Sequence, residues 1–581
     1  MLWQAKRISH QNFIRLLSVI VGVMAGIAAV IIRSGVKFIE SLLTGGFDIS
    51  NENLLYFALP TIGILLVILF IRFVVRDNVG HGVPGILYAI SRNNGIIGKH
   101  NTYSTIVAST LTAGFGGSIG LEGPSVFTGA ALGSYLGQKF RLSYKDLTLL
   151  LTVACTAGLA AIFKSPIAAI VFSLEVIMID LTMASLIPLL IASVTGVLTS
   201  YFFLGNAVLY PFEVLHTFQF RQIPYFLLLG AFTGLISVYF SKIFRVTERF
   251  FALFKFWGTR LIVGGGILGL LVFFFPSLFG EGYQTVNVTL QGDYSPLFNH
   301  SPFFNYQDRM WMVFLLLLLV ILFKVIATAV TFGAGGVGGI FAPSLFIGVF
   351  AGLLFAEFFN YMGFTQLPVA NFAMVGMCGI LAGIMSAPLT GIFLVAEITQ
   401  GYELIIPLMI VATISYATTK IFVKNSVYTE LLAEKGELFT HHRDKTVLSM
   451  LKVSRLIETD FIPLLPEASL RDLVKVISES RRNIYPVVDA EGNFKGFIRL
   501  DDVRHIIFKQ ELYDAIGVGE LMVMPVAFVD PDDSMETVAQ KFIDYDKYNL
   551  PVVKKGKYIG FISRANVFAT YRKMVKDFSE D

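Results

Sequence analysis

The sequence predicts an α-helical polytopic membrane protein built on an internal duplication, followed by a soluble α/β tail. Composition is the first sign: the chain is 55% hydrophobic and only 15% charged, with a mean hydropathy of +0.70, too apolar for a soluble globular fold of this length. The second is a Gly- and Pro-rich segment that occurs twice. The third is a change beyond about residue 440 to charged, mixed sequence such as His441-His-Arg-Asp-Lys445.

The first long apolar run, residues 16–32, follows Lys6, Arg7 and Arg15 and lacks a small-residue cleavage site. It therefore reads as a retained helix with a cytoplasmic N-terminus. Further candidate spans lie at residues 54–73, 187–204, 226–240, 261–275, 310–323 and 404–421, each near the roughly 20 apolar residues a spanning helix needs. The remaining apolar sequence is cut by Gly and Pro into shorter pieces. Broken helices persist at membrane depth only where protein or a water-filled path satisfies the released backbone groups. Cys155 and Cys378 stand in apolar stretches, which predicts buried thiols and no disulfide or metal site. The formal charge of +4 is too small to argue for nucleic acid, and nothing points to enzymatic chemistry.

Gly116-Gly-Ser-Ile-Gly-Leu-Glu-Gly-Pro-Ser-Val-Phe-Thr-Gly129 recurs 219 residues later as Gly335-Gly-Val-Gly-Gly-Ile-Phe-Ala-Pro-Ser-Leu-Phe-Ile-Gly348. A second pair, Ala160 to Glu175 and Ala382 to Glu397, repeats at an offset of 222. Internal repeats with interrupted apolar helices point to a transporter or channel site near the bilayer midplane. Pro124 and Pro343 fall in a first helical turn, where the missing N–H costs nothing. Each repeat then starts a helix inside the membrane, and its unpaired N–H groups and dipole suit an anion without any full positive charge. Close helix packing is the plainer use of such glycines.

Position 122 is Glu, whereas its counterpart is Phe341. A lone carboxylate at an intramembrane helix start is a tethered anion, able to take the seat of a free anion and to leave it when protonated. Glu122 thus reads as a gate or proton carrier, with a simple capping carboxylate as the alternative. Glu175 and Glu397 occupy equivalent positions in both copies, which predicts a scaffold role, bonding released N–H groups of neighbouring broken helices. Lys164 pairs with Ser386 in the repeat, and is either a cation that concentrates anions at a pore mouth or a snorkelling side chain.

The tail is itself duplicated. Tyr485-Pro-Val-Val-Asp with Gly496-Phe-Ile-Arg-Leu-Asp-Asp-Val503 answers Leu550-Pro-Val-Val-Lys with Gly560-Phe-Ile-Ser-Arg-Ala-Asn-Val567. Each copy reads as an amphipathic helix (residues 470–478 and 535–545), two short strands and a further helix. This resembles a tandem pair of CBS domains, here about residues 446–512 and 519–575, a module that often binds adenine nucleotides. Each ribose-binding signature is incomplete: the first copy has Asp502 but Arg499 in the hydroxyl position, and the second has Ser563 but Asn566 for the acid. Adenine nucleotide binding is expected to be weak or absent, with the tail acting in folding and dimer contacts.

The membrane part resembles the CLC family of chloride channels and chloride/proton exchangers, of the prokaryotic type with C-terminal CBS domains. Gly80-His-Gly-Val-Pro84, Gly120-Leu-Glu-Gly-Pro124, Gly339-Ile-Phe-Ala-Pro343 and Tyr428 in Ser426-Val-Tyr-Thr-Glu430 match the family's motifs in order. The resemblance implies an inverted-repeat fold within residues 1–440, with repeats at about 50–205 and 225–425. It also implies a homodimer with one pore per subunit, in a bacterial inner (plasma) membrane with the CBS pair (441–581) cytoplasmic. Chloride, and other small anions like it, would be held by backbone N–H groups and hydroxyls around His81, Gly82, Val83, Gly120, Leu121, Gly123, Ile340, Phe341 and Tyr428. Glu122 would be the gate, and no cofactor or metal is implied.

Three departures from the family pattern alter the expectation. His81 replaces a serine whose hydroxyl contacts the ion, and an imidazole there would make conduction pH-sensitive. Leu121 replaces an arginine beside the gate, removing a cation that would favour the ionised carboxylate. Val176 stands where exchangers of the family usually carry an inner proton-relay acid. The sequence therefore leans to passive, voltage- or pH-gated chloride conduction, uncoupled from protons, with a chloride/proton antiporter as the alternative. A CBS-regulated divalent-cation transporter is more remote, because hard cations need clustered carboxylates and the acids here are isolated. A nucleotide-sensing scaffold would leave the asymmetric Glu122 without a purpose.

Overall fold

A computed structural model of the chain describes residues 9–45, 54–80, 82–177, 182–205, 218–307, 309–400, 402–430 and 451–579. It divides into two compact units, Met1–Leu438 and Phe439–Asp581. The first is helical throughout. Its first half contains α1 (His10–Thr44), α2 (Leu55–Leu69), α3 (Gly82–Arg92), α4 (Asn101–Gly114), α5 (Glu122–Lys139), α6 (Tyr144–Phe163), α7 (Pro166–Glu175) and α8 (Met183–Leu204). The second contains α9 (Ile223–Ala252), α10 (Trp257–Phe274), α11 (Tyr283–Leu290), α12 (Met310–Ala334), α13 (Phe341–Tyr361), α14 (Val369–Met385), α15 (Pro388–Thr399) and α16 (Ile405–Phe422). Among the described residues, nine helices are long and apolar enough to cross a membrane. The exposed Leu, Ile and Phe side chains along α1, α8, α10 and α16 are what a helical surface presents when lipid is its solvent.

The two halves repeat each other in packing as well as in sequence. α5 lies along α6 as α13 lies along α14, and α1 lies along α8 as α9 lies along α16. This packing carries the first half back to α1, ahead of the region where the motifs recur. Lipid-facing helices need only be apolar, so they keep no motif by which a repeat can be recognised. Small residues set the close seams: a methyl on Gly133 of α5 would fall 2.6 Å from the Leu150 carbonyl oxygen of α6, and Gly352 of α13 meets α14 in the corresponding place, as expected for helices that associate by close backbone approach.

The recurrent Gly-rich segments fold into matching turns. Gly116 and Gly335 take φ of +92° and +113°, a left-handed conformation that glycine enters without steric cost. The turns are then tied across the repeats. Ser118 donates its N–H to the Thr331 hydroxyl at 3.2 Å and Val337 donates to the Thr112 hydroxyl at 3.1 Å. Gly120 and Gly339 exchange two antiparallel backbone hydrogen bonds, each 2.8 Å. The second recurrent pair breaks the chain at Lys164 and Ser386, both left-handed (φ +59° and +56°), and restarts it at Pro166 and Pro388 in the first turns of α7 and α15.

In the second unit, β1 (Ile484–Val488) pairs antiparallel with β2 (Phe494–Arg499) and β3 (Asn549–Lys554) with β4 (Lys557–Ser563), each pair with an irregularity at the same place. The helices Leu470–Glu479 and Met535–Asp544 cover them, capped by Ser469 and Ser534. The copies interlock: Glu458 exchanges backbone bonds with Phe561 of β4, and Val523 with Phe497 of β2.

The approach of the two turns yields a stability prediction. A methyl on Gly339 would lie 2.8 Å from the Gly123 nitrogen, whereas one on Gly266 of α10 meets nothing within 4 Å. Gly339→Ala should destabilise the membrane unit by about 1–3 kcal/mol, read as a lower apparent melting temperature in detergent, and Gly266→Ala should leave that temperature unchanged or slightly raised.

Candidate functional site

The exchange between Gly120 and Gly339 brings the starts of α5 and α13 face to face, and Glu122 is the first residue of α5. Its side chain is fully buried. One carboxylate oxygen accepts the N–H of Ala342, in the first turn of α13, at 3.3 Å; the other accepts the hydroxyl of Tyr283, the first residue of α11. A helix N-terminus is a natural seat for an anion because its first N–H groups have no intrahelical partner. Glu122 occupies such a seat on the opposite repeat. Phe341, its counterpart, is also fully buried, and its ring lies against Phe163 and Phe172 at centroid distances of 5.8 and 5.6 Å. One repeat thus supplies a carboxylate and the other an apolar wall.

Among the expected backbone donors, Gly120 is committed to the Gly339 carbonyl. That N–H is spent on holding the helix starts together and is not free for an ion. Gly123, Ile340 and Phe341 lie at the first turns of α5 and α13, where N–H groups have no partner within the helix. Gly82 (φ +50°) begins α3, and a methyl there would come 3.5 Å from the Gly123 Cα, so a third helix start converges on the same place. Val83 is buried beside it. His81 lies outside the described residues.

Tyr428 is buried and its hydroxyl has no hydrogen-bond partner among the described residues. A buried hydroxyl left without a partner is costly, and this one is suited to donate to an anion. The turn that carries it is fixed locally, because Ser426 and Thr429 bond each other through backbone and side chain, and Glu430 pairs with Arg245 of α9.

Val176, just past the end of α7, is buried. The neighbouring Glu175 accepts the N–H groups of Leu389 and Thr390 at 3.2 and 2.8 Å, together with the Thr390 hydroxyl. Glu397 accepts those of Ile167 and Ala168 at 3.1 and 2.8 Å. The two carboxylates are therefore reciprocal caps: each closes the exposed start of the other repeat's broken helix. Lys164 donates to the Gly205 carbonyl at 2.6 Å and lies over the Tyr201 ring.

Four charged or polar residues around Glu122 escaped sequence reasoning: Tyr283, Glu281, Lys324 and Arg33. Lys324 is the single charge in α12 and is fully buried, donating to the carbonyls of Leu278 and Gly280 at 3.3 and 3.0 Å. Arg33 of α1 acts electrostatically on both Glu122 and Glu281. A lone lysine in an apolar helix of this length was a readable sign, because intramembrane charge is rarely without function or partner. The loop carrying Glu281 and Tyr283 has no counterpart in the recurrent motifs and offered no such sign.

In the second unit, Arg499 closes on Asp502 through two bonds of 2.8 and 3.1 Å. The Ser563 hydroxyl donates to Glu458 at 2.5 Å and accepts the Asn566 N–H at 3.1 Å, while the Asn566 amide reaches the Leu456 carbonyl. Each group that a ribose would contact already has a partner within the protein.

Residues 62–420 match the family described as voltage gated chloride channel, and residues 453–509 and 518–572 each match the CBS domain. The chain is 29% identical over 431 residues to a putative chloride channel protein ClcB-like of Ralstonia nicotianae, covering 72% of this chain and 96% of that protein. It is likewise 29% identical over 433 residues to the H(+)/Cl(-) exchange transporter ClcA of Vibrio vulnificus, covering 72% and 88%. Among solved structures, the fold is similar to that of a slow cyanobacterial Cl-/H+ antiporter (TM-score 0.63, 22% identity, 74% of this chain and 98% of that one). It is also similar to a eukaryotic CLC transporter (TM-score 0.58, 18% identity, 96% and 99%).

Two outcomes follow from this geometry. Titration calorimetry of the full-length protein with ATP or AMP should show no binding in the micromolar range, because nucleotide would have to break the contacts of Asp502, Ser563 and Asn566. Glu175→Gln and Glu397→Gln should each lower the apparent melting temperature by a similar amount, corresponding to about 1–3 kcal/mol for a weakened bond to a charged group.

Proposed function

We propose that this protein, which belongs to the CLC family of chloride channels and chloride/proton exchangers, exchanges chloride for protons across the membrane, with Glu122 as the group that both ligands contest. The observation that carries this reading is the position of the Glu122 carboxylate, on the Ala342 N–H at the start of the opposite repeat's helix. Ionised, the side chain competes with a chloride for that seat. Protonated, it loses the charge that the N–H groups and helix dipole attract, and the seat passes to the anion. One group thus links proton uptake to anion movement. The relatives named as H(+)/Cl(-) exchange transporters support coupling over passive conduction.

In this reading, a chloride passes between the starts of α3, α5 and α13, with the N–H groups of Gly123, Ile340 and Phe341 and the Tyr428 hydroxyl as its donors. The ring of Phe341 narrows the route. Backbone donors carry no counter-charge that would trap the ion, so binding stays weak enough for release. Other small anions are admitted by the same chemistry. The protein acts as a homodimer in a bacterial inner membrane, each subunit having its own route, with the CBS pair of residues 441–581 on the cytoplasmic side. The repeats lie in residues 1–440.

Val176 favours a second reading, a passive channel, because valine cannot carry a proton inward from Glu122. Under the exchanger reading, water takes that part of the path. The two separate cleanly in liposomes. A chloride gradient should drive proton uptake, and the reversal potential should move steadily with an imposed pH gradient; a potential that follows chloride alone would establish the channel. Glu122→Gln should abolish proton movement while chloride flux persists and loses most of its acid dependence. An unchanged flux and pH response in the folded variant would remove Glu122 from the gate.

A further inference from the structure

The loop between α10 and α11 meets the gate at its end and is gripped by a buried lysine. Tyr283 gives its hydroxyl to one oxygen of Glu122. Two residues earlier, the Glu281 carboxylate lies near enough to Glu122 for the two to interact electrostatically. Beneath the loop, the buried ammonium of Lys324 donates to the carbonyls of Leu278 and Gly280, lies 4.7 Å from the centroid of the Phe346 ring on α13, and acts electrostatically on Glu281. Gly280 and Gly282 both take positive φ, +58° and +80°, so the loop can make these turns with its carbonyls directed at Lys324.

From this we infer that the loop carrying Glu281 and Tyr283 is a latch on the gate, in which Tyr283 holds the Glu122 carboxylate in the anion's seat and Lys324 is the pedestal that keeps Tyr283 in place. Tyr283 and Lys324 are positioning residues: neither has to touch the transported ion. The latch rests on the reading of Glu122 as the gate and adds a determinant of how readily that gate opens. A phenol donating to a carboxylate stabilises the ionised form. The latch therefore raises the proton concentration needed to release Glu122.

Among the described residues, the charged and titratable groups around Glu122 are Arg33 and Glu40 of α1, Glu281 and Tyr283 of the latch, Lys324 of α12 and Tyr428 after α16. Chloride efflux from liposomes, measured across a pH series, reads the latch. Tyr283→Phe keeps the ring and removes the hydroxyl. It should speed efflux at neutral pH by about tenfold and move the midpoint of acid activation upward by about one pH unit, the scale of a lost hydrogen bond to a charged group. In the Glu122→Gln background it should add nothing. Lys324→Met should move the midpoint in the same direction and Lys324→Arg should hold it near the parent value. Where Lys324→Met does not fold, Phe346→Leu takes its place and should give a smaller shift of the same sign.

If Glu122→Gln alters efflux but folded Tyr283→Phe keeps the parental midpoint, the latch is overturned while the gate stands. If Glu122→Gln itself leaves efflux and its pH dependence unchanged, the gate reading fails, and the latch with it. A shift from Tyr283→Phe without one from a folded Lys324→Met or Phe346→Leu would overturn the pedestal.

Discussion

Two backbone hydrogen bonds between Gly120 and Gly339 are the constraint on which the membrane unit depends. They join the helix starts of two repeats at a point where side chains would hold them apart, and each is possible only because neither residue carries a Cβ. From that junction, α5 and α13 diverge, each lying along the next helix of its own repeat. The ties of Thr112 and Thr331 to the facing turns reinforce it. Because these bonds are satisfied within the protein, irregular backbone can exist at membrane depth, where an unpaired N–H would cost several kcal/mol.

The same economy governs the broken helices α7 and α15. Each begins with a proline two residues after a left-handed one, and each has its exposed N–H groups closed by a glutamate from the other repeat. Carboxylates meet the starts of α7, α13 and α15, but they act differently. Glu175 and Glu397 cap symmetrically. Glu122 caps without a symmetric partner, and its surroundings differ: converging helix starts, a buried Tyr428 hydroxyl and the wall formed by Phe341.

The recurrent Gly-Pro motifs made the duplication, the helix starts, the asymmetry at Glu122 and the capping glutamates legible, because each is a local requirement on residue type. The CBS pair was legible for the same reason, with its helix and strand pattern given twice. The lean toward a passive channel rested on one residue, Val176. The exchangers among the relatives fit the antiporter alternative better. Tyr283, Glu281 and Arg33 were not legible, since they come from segments outside the recurrent motifs and reach Glu122 only through the fold.

By itself, the sequence determined that this is a duplicated membrane protein with intramembrane helix starts and a lone acid at one of them, because turns, breaks and helix starts are specified by nearby residues. Tertiary structure decided that the Gly120 N–H is spent on the Gly339 carbonyl and that Tyr283, from the other half of the chain, donates to Glu122. Those outcomes depend on contacts between residues more than 150 positions apart, and no local pattern of residue types encodes them.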